Sequence, residues 1–73
     1  MRDGPDDFEL RDAIRRAFVA LPPTLRIVAT LALIEGVPHA EIADAIGVSI
    51  GTVKSRLFRA TRKLRKELEP HER

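Results

Sequence analysis

Cysteine, tryptophan and tyrosine are absent from the 73 residues. The lack of cysteine excludes disulfides and thiolate metal sites and accords with a reducing compartment. No apolar run can cross a bilayer. The longest, Ile27 to Ile34, includes Thr30 and falls far short of the roughly 20 residues a spanning helix needs. The N-terminus, Met1-Arg2-Asp3-Gly4-Pro5-Asp6-Asp7, is acidic and has no apolar signal core. The expectation is a cytoplasmic protein that does not use a membrane. Strand signals are missing too: there is no sustained apolar–polar alternation and no Asn-Gly hairpin turn. The histidines, His39 and His71, are far apart and lack partners at ligand spacing, so no metal site is expected. Glu41 and Asp44 stand i, i+3 on a solvent face, where they solubilise or steer rather than catalyse. No nucleophile has a base at a useful spacing and no phosphate-binding loop occurs. Catalytic residues, cofactors and enzyme activity are therefore not expected.

What is present is helical spacing and an uneven distribution of charge. The formal net charge is only +2. From Asp3 to Asp12, however, the acids Asp3, Asp6, Asp7, Glu9 and Asp12 face only Arg11. From Ser49 to Leu68, Lys54, Arg56, Arg59, Arg62, Lys63, Arg65 and Lys66 face only Glu67. A basic C-terminal segment suggests a polyanionic partner, and a merely solvated basic helix is the competing reading. The length allows one small domain. The fold class expected is all-α: a small four-helix domain containing a helix-turn-helix, over residues 7–69, with flexible tails at 1–6 and 70–73.

The first helix is expected from about Asp7 to Ala20, with Leu10, Ile14, Ala17, Phe18 and Leu21 forming an apolar stripe. Pro22-Pro23 stops it. The second runs from Pro23 or Thr24 to Ile34 or Glu35. Leu25, Val28, Ala29, Leu31, Ala32 and Leu33 leave it little polar surface, so it is expected to be the most buried, although part of so apolar a helix can serve as an exposed partner site. The third, Pro38 to Ile46, ends at Gly47. The fourth follows Ser49, a good N-cap, and continues to Leu68.

The stretch from His39 to Leu57 reads as helix, tight turn, helix. Gly47 can take the left-handed conformation a sharp turn needs. Val48 can plug the gap between the helices, and Val53 and Leu57 can pack back on Ile42 and Ile46. On a wheel of about 100° per residue, Ile50, Val53, Leu57, Ala60, Thr61, Leu64 and Leu68 share an inner arc. Thr52, Ser55, Arg59, Arg62 and Lys66 share the outer arc. Lys54 and Phe58 flank one side, Arg56 and Lys63 the other. An outward face of Thr, Ser and Arg, ringed by bases, suits a DNA major groove. Arg donates in pairs to guanine, Ser and Thr adapt to several bases, and the surrounding cations hold phosphates. Arg62, Arg65 and Lys66 lie two or more turns in, where a straight helix leaves the groove, and so face phosphate or solvent. Phe58 either touches a thymine methyl or edges the core. Gly51 inside a helix costs up to about 1 kcal/mol relative to Ala, and either close approach to DNA or a packing need explains it.

Leu21-Pro22-Pro23, Leu33-Ile34-Glu35-Gly36, Glu41-Ile42-Ala43 and above all Gly51-Thr52-Val53-Lys54-Ser55-Arg56-Leu57-Phe58-Arg59-Ala60 resemble region 4 of bacterial sigma-70 factors, most of all those of the extracytoplasmic-function (ECF) group. The resemblance runs from about Leu10 to Leu68. It implies binding of the −35 promoter element by the last helix and docking of the earlier helices on the β-subunit flap of RNA polymerase. Double-stranded promoter DNA, that flap and an anti-sigma factor are the implied partners. Position by position it implies base contacts from Lys54, Ser55, Phe58 and Arg59, and backbone contacts from Gly51, Thr52 and Arg56. The basic arc adds Arg62 and Lys63 as phosphate contacts. Where the family often has Ser or Thr capping the third helix, this sequence has Pro38, so a hydroxyl contact to phosphate from there is not expected. Region 2 of such factors has no counterpart here, and the expectation is a fragment or a stand-alone relative. Two alternatives stay open: a helix-turn-helix regulator unrelated to polymerase, such as a response-regulator output domain, and a protein-interaction module whose basic helix meets an acidic partner.

Overall fold

The computed structural model describes residues 5–69, with side chains from Phe8 onward. Among the described residues there are four α-helices and no strand: α1 (Pro5–Val19), α2 (Pro23–Ala29), α3 (His39–Ile46) and α4 (Ile50–Leu68), with a π-helical segment, Thr30–Ile34, continuing α2. The all-α, four-helix expectation is met. α1 starts at Pro5 rather than near Asp7, as suits a proline in a first turn, and residues 1–4 and 70–73 of the expected tails lie outside the described residues.

The boundaries follow local chemistry. After α1, Pro22 takes an extended conformation (φ −57°, ψ 149°) and Pro23 opens α2. The Arg26 guanidinium reaches back from α2 and donates to the carbonyls of Val19 (3.2 Å) and Leu21 (2.9 Å). A cation at the negative end of α1 is favourable, and it ties the two helices together.

The second helix departs from expectation. It is not α-helical to its end: the Glu35 N–H donates to the Thr30 carbonyl, five residues back, at 3.0 Å. Gly36 then takes a left-handed φ of 72°, and the Val37 N–H closes on the Leu31 carbonyl at 2.9 Å. Nor is this helix buried all round. Leu25, Val28 and Ala29 are enclosed, but Ile27, Leu33 (53%) and Ile34 (61%) are exposed. α2 is covered mainly by α4, and in so small a domain no element among the described residues covers its far side.

Two clusters make the core. The first joins Ala17 and Leu21, Leu25 and Ala29 of α2, and Ala60 and Leu64 of α4, with Phe18 and Leu68 at its margin. Alanines at the meeting of α1, α2 and α4 let the helices approach closely. The second joins Val28, Ile42, Ala43, Val53 and Leu57, with Leu31, Ala32, Val37, Ile46 and Val48 packed against it. α2 and α4 contribute to both clusters and form the spine of the domain. Leu10, expected on the apolar stripe of α1, is 56% exposed, because α1 meets the bundle only through its C-terminal half.

Candidate nucleic-acid interface

The turn that aims α4 is built from three residues. Gly47 ends α3 with φ 73° and ψ 36°, and its N–H and that of Val48 both close on the Ala43 carbonyl, at 2.9 and 3.1 Å. A Cβ added at Gly47 meets no atom within 4 Å, so the positive φ, not lack of space, calls for glycine there. Val48 is half-buried against the second cluster and anchors the turn. Ser49 caps α4: its Oγ accepts from the Thr52 N–H at 3.1 Å and lies 3.0 Å from the Thr52 hydroxyl. That satisfies one of the free N–H groups of the first turn.

With the cap set, Val53, Leu57, Ala60 and Leu64 are buried and lock the rotation of α4. The inner arc is as expected except for Ile50, which is 44% exposed. Ile50 is the first residue of the helix, and nothing in the second cluster extends over it. Thr61, at the edge of this arc, turns its hydroxyl onto the Leu57 carbonyl at 2.7 Å.

The opposite side is polar and open. Lys54, Ser55, Phe58 and Arg59 are all exposed, as are Gly51, Arg62 and Lys63. Thr52 and Arg56 are half-buried. Thr52 thus lies less freely on the outer arc than the wheel implies, since its hydroxyl is drawn to Ser49. Phe58 is 63% exposed and belongs to neither core cluster, so the core-edge reading of its ring is not met. It carries the Arg62 guanidinium instead, 5.7 Å from the ring centroid. For Gly51, a Cβ meets only Ser49 Oγ at an ordinary 3.8 Å. Packing within the domain therefore does not require glycine at that position.

Further along α4, Arg59, Arg62, Lys63, Arg65 and Lys66 share one open side of the helix, with Glu69 just past its end. Arg65 and Lys66, expected to face phosphate or solvent, are exposed. The ion pairs among the described residues sit on α1, where Asp12 meets Arg16 at 3.4 Å and Arg15 at 4.0 Å. Among the described residues no carboxylate pairs with the cations of α4, and the helix presents a positive surface whose nearest chemical complement is a polyanion. No helix among the described residues is long and apolar enough to cross a membrane.

Residues 11–64 match the family described as Sigma-70, region 4. The chain belongs to that family. The matched span holds both core clusters apart from Leu68, and all the candidate contact residues from Gly51 to Lys63. Among its relatives is the ECF RNA polymerase sigma-E factor of Escherichia coli (strain K12), 37% identical over 62 residues, covering 85% of this chain and 32% of that protein. The factor of the same name from Salmonella typhimurium (strain LT2) matches to the same extent. The ECF RNA polymerase sigma factor SigE of Mycolicibacterium smegmatis is 38% identical over 65 residues, 89% of this chain and 25% of the relative. The chain thus spans a quarter to a third of the length of the relatives it matches.

Proposed function

We propose that this region 4 domain recognises promoter DNA. In this reading α4 enters the major groove of the −35 element, as part of an ECF-type sigma factor that directs RNA polymerase, and the domain performs no chemistry. The carrying observation is the division of α4 into a buried face fixed by Val53, Leu57, Ala60 and Leu64 and an open face bearing Lys54, Ser55, Phe58 and Arg59. Those four contact bases. Arg59 donates in pairs to a guanine, Ser55 adapts to its neighbour, and Lys54 and Phe58 approach from the flank. Gly51, Thr52 and Arg56 lie along the sugar–phosphate backbone at the start of the helix, and Arg62 and Lys63 hold phosphates beyond the groove. Gly51 supports this reading because the fold itself makes no demand for it.

The same reading assigns the exposed apolar side chains of α2 and the π-helical segment, Ile27, Leu33 and Ile34, to the β-subunit flap of polymerase. An anti-sigma factor competes for these surfaces, and the setting is the cytoplasm.

The test is a fluorescence-anisotropy titration against a duplex carrying an AAC-type −35 element and against a scrambled duplex, at two salt concentrations. Tighter binding to the first duplex is the expected result. Equal, salt-sensitive binding to both removes sequence reading by the isolated domain. Absence of binding to either at low salt, with helicity intact, refutes the DNA role and favours a protein-interaction module. Binding to DNA without retention of the β flap in a pull-down points to a regulator unrelated to polymerase.

A further inference from the structure

We propose that Phe58 is a positioning residue that holds the Arg62 guanidinium in place for the DNA backbone, in addition to any contact of its own with a base. The proposal rests on the DNA reading above. Phe58 is exposed and stands outside both core clusters, so its ring is free to meet a neighbouring side chain. Its one aromatic–cation contact among the described residues is with Arg62, one helical turn on, at 5.7 Å from the ring centroid. That distance lies within the range in which the negative face of an aromatic ring attracts a guanidinium. No carboxylate among the described residues pairs with Arg62, so the ring is not competing with an ion pair for it.

Arginine carries large rotamer freedom, and holding it before binding reduces what binding must immobilise. Arg62 also shares one side of α4 with Arg59, Lys63, Arg65 and Lys66, with Glu69 beyond them at the helix end. A guanidinium fixed on Phe58 is therefore kept beside the cations that would follow a phosphate strand. A flexible arginine at the same position would spread its charge over many orientations. The effect is independent of DNA sequence, which separates it from a base contact by the Phe58 ring.

The experiment is a double-mutant cycle on the 73-residue chain, read on the scrambled duplex at low salt, where base-specific contacts are removed. Phe58→Leu keeps apolar bulk and loses the π face. It is expected to raise Kd about two- to fivefold, the size of one exposed cation–π contact. In the Arg62→Ala background the same change is expected to have no effect, and Phe58→Tyr is expected to restore wild-type binding. Thermal melting of Phe58→Leu should match wild type. In the free chain, NMR should show a ring-current shift of the Arg62 Hδ and Hε protons that Phe58→Leu abolishes. Equal loss in both backgrounds, no loss in either, failure of Tyr to restore binding, or absence of the ring-current shift overturns the proposal while leaving the DNA reading intact. A wild-type chain that binds neither duplex overturns the DNA reading itself, and the proposal with it.

Discussion

The two faces of α4 share a backbone and differ in almost everything else. On the inner face Val53, Leu57, Ala60 and Leu64 are enclosed by α1, α2 and α3 and carry the fold. On the outer face Lys54, Ser55, Phe58 and Arg59 are exposed and outside both core clusters. One face supplies stability and the other is free to supply recognition. The difference predicts that substitutions on the two faces fail in different ways, and four experiments tell them apart.

The largest effect belongs to the inner face. Leu57→Ala should cost about 2–5 kcal/mol in chemical denaturation, because a buried leucine joining α4 to α2 and α3 leaves a cavity. Duplex binding should disappear with the fold. Next comes Arg59→Ala, which should weaken the −35 duplex by about 1–3 kcal/mol while the melting curve stays put. Equal losses on specific and scrambled DNA would remove its base contact.

Gly51→Ala separates the two properties most cleanly. Alanine suits a helix better and meets only Ser49 Oγ at 3.8 Å, so stability should rise by up to about 1 kcal/mol. Binding of both duplexes should nevertheless fall, since the added methyl occupies the surface that meets the backbone. Higher stability with unchanged binding would remove Gly51 from the interface. The smallest effect is that of Lys63→Ala: a uniform weakening on all duplexes, with the slope of log K against log salt reduced by about 1.

The sequence made some of this legible because certain signals are local. Ser49 as cap and Gly47 as left-handed turn each depend on a few neighbouring atoms, and both take the expected conformation. The wheel gave the direction of Val53, Leu57, Ala60 and Leu64 correctly for the same reason. Periodicity tells which way a side chain points, but not whether another element is there to cover it. Ile50 and Leu10 point along apolar stripes yet lie beyond the reach of the core. The π-helical turn at Thr30 and the hold of Arg26 on the carbonyls of Val19 and Leu21 are settled by tertiary packing, and no residue pattern announced them. At the interface, charge spacing placed Arg59 and Ser55 outward. The approach of the Arg62 guanidinium to the Phe58 ring was hidden because an i, i+4 pair of this kind also fits a core-edge phenylalanine beside a solvated arginine.

Contact between the outer face of α4 and DNA can be followed through the backbone amide shifts of the labelled chain as the −35 duplex is added. The largest changes are expected from Gly51 to Arg59, with further changes at Arg62 and Lys63, and with α1 and the exposed Ile27, Leu33 and Ile34 nearly unaffected. Largest changes on α1 or on the α2 and π-helical surface, with α4 silent, would contradict that contact.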